Sequence, residues 1–239
     1  VNAFSPAITG YWDARFTPKI TLHDDGRFTL SVNPHLSDKR RVMVLTQPDG
    51  RVRAVVTPDV RAQLHLPAEE TSEAAFRRAL SEFGVQLHSP DLYFHFSEDM
   101  LAEVLDEPNP SHVRRLSSAD SSAFAEFQAS APEADRDESF VELDHWVVVG
   151  AFADSRLVSA TSMYPWEDSR LADLGVLTLP FVRGQGYGRQ VVRAITRYAH
   201  AEGFEAQYRC QETNQASARL AKRAGLSLFG TWEVVAQNA

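Results

Sequence analysis

Apolar residues recur along this chain with two periods, and the change from one to the other marks the elements. Between residues 187 and 202 they fall at Val191, Val192, Ile195 and Ala199, the spacing of one helical face. Arg189, Arg193, Arg197 and Glu202 are expected elsewhere on that helix, and Gly203 should end it. The same spacing predicts helices near 59–65 and over 72–83, where Ala75, Phe76, Ala79, Leu80 and Phe83 line up before Gly84. Further helices are expected at 97–105, near 118–130 and at 215–224. Short runs rich in β-branched and aromatic residues predict strands at FTLSV, RVMVLTQ, VRAVVTP and DLYFHF, then at 145–152, 156–163, 171–178, 205–210 and 227–235. PDGR at 48–51 reads as a hairpin turn, and the stretch after 130 as an acidic loop.

DEPNPSH at 106–112 has two prolines and no other apolar side chain, so it reads as a linker. Ser117 and Asp120 follow as a capping box before a helical run. This predicts an N-terminal domain over 1–110 and a second over 113–239. The order of strands and helices implies an α/β or α+β sheet with helices packed against it.

Composition excludes more than it identifies. The chain has 239 residues, 44% hydrophobic and 23% charged, the balance of a globular protein. Its longest apolar runs, such as WVVVGAF, are too short to span a bilayer, so no membrane role is expected. The first residues lack the basic and apolar regions of a signal peptide. The single cysteine, Cys210, fits a reducing compartment, and a cytoplasmic location is the expectation. A net charge of -8 speaks against nucleic acid as a partner. The eight histidines lack ligand spacing, so no metal site is expected.

The most informative stretch is LTLPFVRGQGYGRQVV. Gly184, Gly186 and Gly188 stand directly before the helix at 187, whose first turn offers unpaired N–H groups and the positive end of a dipole. Arg183 adds a cation, and each part favours a bound anion. A Walker loop would need a Lys-Ser or Lys-Thr here. A dinucleotide fingerprint would need glycine where Arg189 stands. What remains is R-x-x-G-x-G.

Thr178 to Gly188, T-x-P-x-x-R-G-x-G-x-G between a strand and a helix, resembles the acyl-CoA signature of the GNAT superfamily of N-acetyltransferases. A second stretch, NQASARLAKRAGL at 214–226, is similar to the family's N-x-x-[AS]-x-x-L-Y-x-K-x-G-F, with Asn214, Ser217, Leu220 and Gly225 in agreement. The resemblance implies a mixed, mostly antiparallel sheet flanked by helices, covering residues 113–239 and preceded by a smaller α/β domain that is either accessory or a degenerate relative of the same fold. It implies acetyl-CoA as co-substrate, with its pyrophosphate on the amides of Arg183, Gly184, Gln185, Gly186, Tyr187 and Gly188, beside Arg189. The family's fourth strand carries a bulge and parts from the fifth. Here that would turn the backbone of Val176, Leu177, Thr178 and Leu179 toward the pantetheine, with Asn214 and Ser217 nearby.

The implied reaction is direct attack of a primary amine on the thioester. Asp173 is the first candidate base. Glu142, Glu167 and Asp168 are expected around the acceptor cleft, and an N–H near Val176 or Leu177 is expected to face the developing oxyanion. At the family's tyrosine, an acid for the leaving thiolate, stands Ala221. Tyr187, Tyr208 or water would have to substitute. That departure leaves open a second reading, a non-catalytic acyl-CoA-binding sensor or scaffold. The acceptor is a small molecule or peptide amine of unspecified kind, and a homodimer is compatible with the family.

Overall fold

The computed structural model describes residues 3–17 and 20–236. In chain order its elements are α1 (Pro6–Phe16), β1 (Ile20–Asp24), β2 (Phe28–Val32), β3 (Val42–Thr46), β4 (Val52–Val56), α2 (Pro58–Leu64), α3 (Glu73–Glu82), β5 (Asp91–His95) and α4 (Glu98–Asp106). They continue with β6 (Val113–Arg115), α5 (Ser121–Ala129), α6 (Glu133–Ser139), β7 (Val147–Ala153), β8 (Arg156–Pro165) and β9 (Leu171–Thr178). The last are α7 (Tyr187–Ala201), β10 (Glu205–Gln211), α8 (Gln215–Ala224) and β11 (Ser227–Val234).

Two compact units divide the chain. One holds Gly10–Tyr93, Cys210–Thr213 and the residues from Leu228 onward; the other holds the residues through Thr9, Phe94–Arg209 and Asn214–Ser227. The division therefore falls beside Phe94 and not in 106–112, and most of β11 groups with the N-terminal strands. The polar stretch at 106–112 resembles a linker because it has no apolar pattern, yet polar bonds fasten it to α7. Glu107 pairs with Arg193, Asn109 with Arg197, and His112 Nε2 lies 2.9 Å from Gln190 Oε1.

In the unit containing Gly10–Tyr93 the strand order is β1-β2-β4-β3-β11, with β2 and β4 parallel and the other pairs antiparallel. Phe28, Leu30, Val44, Val56, Phe76 and Leu80 form its core. The helix predicted over 72–83 is α3, capped by the Ser72 hydroxyl. The turn at 48–51 forms with Gly50 at φ 84°.

In the other unit the order is β10-β9-β8-β7-β6, a mixed and mostly antiparallel sheet flanked by helices. Only β9 and β10 are parallel among the pairs from β10 to β6. Leu116, Phe124, Phe127, Val158, Leu177 and Leu179 pack α5 onto one face. The capping box at Ser117 and Asp120 is present and leads into α5. On α7, Val191, Val192, Ile195 and Ala199 are fully buried, as the periodicity predicts. Arg193 is buried as well. It is 7% exposed, because Glu107 and the Ala224 carbonyl satisfy its guanidinium inside the packing. The expected acidic loop after 130 contains α6, a helix with no buried residue and hence no apolar period to betray it.

Candidate functional site

The site begins where one strand loses a neighbour. β9 pairs with β8 from Thr178 back to Ala172 without a register shift, but pairs with β10 only from Leu171 to Leu174. Beyond Leu174 its second edge is open. The expected parting of the two strands is thus present, without a shift in the β8 register. Side-chain exposure follows: Leu171 to Leu174 are buried, whereas Gly175, Val176 and Thr178 are partly accessible.

Backbone alternation decides which groups line that edge. Leu179 N–H donates to the Val158 carbonyl at 3.0 Å, and the Leu177 and Gly175 carbonyls accept from the hydroxyls of Ser159 and Thr161 on β8. Groups at 175, 177 and 179 therefore face β8, and those at Val176 and Thr178 face the open side. This corrects the expectation for Leu177 and Leu179. Their main chains serve the β8 ladder and their side chains are core.

The loop that follows uses its glycines in two ways. Gly184 (φ 82°) and Gly186 (φ 92°) adopt left-handed backbone with no heavy atom within 4 Å of an added Cβ, so they uncover the loop. Gly188, inside the first turn of α7, closes the packing: a Cβ there would lie 3.1 Å from Thr178 Oγ1 and 3.2 Å from Leu220. Gly186 is the N-cap of α7 and provides no side-chain cap, which leaves first-turn amides available. Gln185 is exposed. Tyr187 packs edge-on to His112, and Arg189 lies 3.9 Å from Glu107. Arg183 is already engaged: its Nε donates to the Thr178 carbonyl at 3.0 Å and its Nη2 to Asp135 at 2.7 Å.

Across the opening, Asn214 caps α8 by accepting from the Ser217 N–H at 3.0 Å and donates to Glu138 at 2.9 Å. The Ser217 hydroxyl lies 2.8 Å from that of Tyr208 on β10. Ala221, one turn further along α8, is fully buried.

Asp173 lies on the same sheet face as Gly175, about 10 Å along β9 from Val176. It is 4% exposed, so it is a buried carboxylate and not one at the strand edge in water. Tyr164 donates to it at 3.1 Å, Gln207 at 3.0 Å and Arg209 at 3.3 Å. Burial raises its pKa above the usual carboxylate range, against the pull of Arg209 and these hydrogen bonds. Burial and the neighbouring Asp173 charge push the Tyr164 hydroxyl up to about 12.

Closer to Val176, the Ser162 hydroxyl accepts from the Glu142 N–H at 3.2 Å and contacts His145 Nδ1 at 2.8 Å. Ser162 is the β8 partner of Gly175. His145 stacks obliquely on Phe140 and Tyr164, each with centroids 5.1 Å away. Burial lowers its pKa, which favours the neutral ring, while Asp144 and Glu142 oppose the shift. Glu142 has an exposed side chain beside this cluster. Glu167 and Asp168 do not join it. They sit in the turn between β8 and β9, at the far end of β9 from Val176, with Glu167 at φ 51°. Among the described residues, no group of three or more His, Cys, Asp or Glu is arranged to hold a metal ion, and no helix is long and apolar enough to cross a membrane.

The family model of the GNAT acetyltransferases matches residues 101–226, more than half of the chain. The chain belongs to the GNAT family. No curated protein matches its sequence. Among solved structures, a GNAT-family acetyltransferase from Colwellia psychrerythraea is 20% identical, with a TM-score of 0.49 over 70% of this chain and 63% of that one. A GCN5-related N-acetyltransferase from Kribbella flavida is 19% identical, with a TM-score of 0.46 over 68% of this chain and 64% of that one. The chain thus spans less than two thirds of the length of either structure.

In this GNAT chain the sequence pointed to Asp173 and Glu142 but missed Tyr164, His145, Gln207 and Arg209. The hairpin register that sets Tyr164 opposite Asp173 was readable in principle from the turn between them. The β10 partners come from a distant segment with no local signal.

Proposed function

We propose that this GNAT chain transfers an acetyl group from acetyl-CoA to a primary amine, carried by a small molecule or a peptide, by direct attack of the amine. The observation that carries the reading is the loss of β10 pairing after Leu174, immediately before an uncovered glycine loop and a helix N-terminus. Acetyl-CoA, when bound, supplies the activated acyl group. Val176 and Thr178 provide the main-chain partners for its arm, and the Val176 N–H stabilises negative charge developing on the acyl oxygen. The amides of Gly184, Gly186, Tyr187 and Gly188 at the start of α7 receive the pyrophosphate, with Arg189 beside them, whereas those of Arg183 and Gln185 already donate to the Pro180 and Val182 carbonyls. Asn214 and Ser217 hold the opposite side.

The acceptor approaches the face bearing Tyr164, His145 and Glu142, where the exposed Glu142 carboxylate favours a cationic amine. Asp173 is too enclosed to touch the amine. It is assigned as the proton acceptor acting through Tyr164: the phenol oxygen takes the amine proton while its own proton passes to Asp173. His145, whose Nδ1 lies 2.8 Å from the Ser162 hydroxyl, is the neighbouring base. Glu167, at the distant turn, contacts only the remote part of a long acceptor. The Ser217 hydroxyl, paired with that of Tyr208 and one helical turn from Ala221, offers a hydrogen bond to the departing thiolate, which takes its proton from water.

The test is thiol release from acetyl-CoA across a panel of amines. Turnover should occur, and Tyr164→Phe and Asp173→Asn should lower kcat roughly 10²-fold or more, with acetyl-CoA affinity little changed. Binding without turnover on any amine would favour the sensor or scaffold reading that Ala221 motivates. No binding at millimolar acetyl-CoA would contradict both.

A further inference from the structure

Helix α6 has an unusual attachment. It is seven residues long, EADRDES, and buries none of its side chains. A helix this short is marginal without tertiary packing, and apolar burial is what usually provides it. Polar contacts to the open edge of β9 and its surroundings serve here instead. Asp135 holds Arg183, which reaches back along the edge to the outward-facing carbonyl of Thr178. Glu138, one turn on, holds the side-chain amide of Asn214. At the end of α6 the Ser139 carbonyl presses on Gly175, where an added Cβ would stand 1.9 Å from that oxygen. Phe140 then leaves the helix in left-handed backbone, φ 46°. One short acidic helix therefore touches the glycine loop, the unpaired half of β9 and the cap of α8.

We propose that α6 is a polar strap whose Asp135 and Glu138 compete with acyl-CoA for Arg183 and Asn214, which makes these two carboxylates determinants of cofactor affinity. The inference rests on the acetyl-CoA reading above and adds what that reading leaves out, the occupants of the site before the cofactor arrives. Asp135 places an anion on the guanidinium that would meet phosphate. Glu138 takes an amide hydrogen that would meet the pantetheine arm. The Arg183 side chain covers the Thr178 carbonyl that the same arm would use. Each bond is partly exposed and the strap has no buried residue, so its release costs little. The alternative is that the carboxylates pre-organise Arg183 and Asn214 for the cofactor. It predicts the opposite sign when they are removed.

The experiment is calorimetric titration of the full chain with coenzyme A, with ADP and with pantetheine, for wild type, Asp135→Asn and Glu138→Gln. Each substitution keeps side-chain size and removes one charge. Coenzyme A should bind roughly three- to fivefold more tightly to either variant, the size expected for losing one exposed charged contact. ADP should gain with Asp135→Asn and not with Glu138→Gln, and pantetheine the reverse. In the wild type, coenzyme A should speed amide exchange across 133–139, a readout that does not depend on the variants folding. Unchanged or weaker binding by both variants, or slower exchange in α6, would overturn the strap alone. Absence of coenzyme A binding by all three proteins would remove the acetyl-CoA reading and the strap with it.

Discussion

Helices α7 and α6 both border the open edge of β9, and they are held there by opposite means. α7 has 15 residues and sinks Val191, Val192, Ala194, Ile195 and Ala199 into the sheet. Its one buried charge, Arg193, is matched by Glu107. α6 has seven residues and sinks none; two carboxylate contacts and a close approach to Gly175 hold it. Apolar burial is not selective and is hard to undo, so α7 is a fixed platform for the glycine loop. Polar contacts at the surface can be exchanged for a ligand's groups at little cost, so α6 can yield.

The contrast has measurable consequences. Ile195→Ala should lower unfolding free energy by about 2–5 kcal/mol, from lost transfer and a residual cavity, as read by urea denaturation. Next in size is an effect of pH on the same buried framework. His95, fully buried on β5, has its pKa lowered by burial from 6.5 to about 4, so the fold holds it neutral. Between those values the unfolded chain takes up a proton that the native chain does not. The stabilisation is complete above pH 6.5 and is lost as pH falls toward 4, by about 3 kcal/mol. Replacing His95 with a non-titrating residue should flatten that part of the profile. Smallest is the strap: Asp135→Asn and Glu138→Gln should each move stability by less than about 1 kcal/mol. If the strap substitutions proved as costly as Ile195→Ala, the distinction between platform and strap would fail.

The same contrast explains what could be read in advance. α7, the glycine loop, β9 and α8 were legible because apolar periodicity and turn chemistry are local. α6 was not, since a helix with no buried side chain leaves no period in the sequence. The burial of Arg193 had no local signal because its partners, Glu107 and the Ala224 carbonyl, belong to other elements. Asp173 was visible as a carboxylate on the right strand, but its enclosure depends on Gln207 and Arg209 from β10. Ranking the four residues 176–179 needed one long-range fact, the Leu179 bond to Val158, after which alternation separated Val176 and Thr178 from Leu177 and Leu179.

The proposed cofactor edge rests on that separation, and amide exchange with and without acetyl-CoA tests it residue by residue. Acetyl-CoA should protect the Val176 and Thr178 amides while Leu177 and Leu179, facing β8, change little. Protection at Leu177 and Leu179 instead, or no change anywhere between 175 and 188, would contradict it.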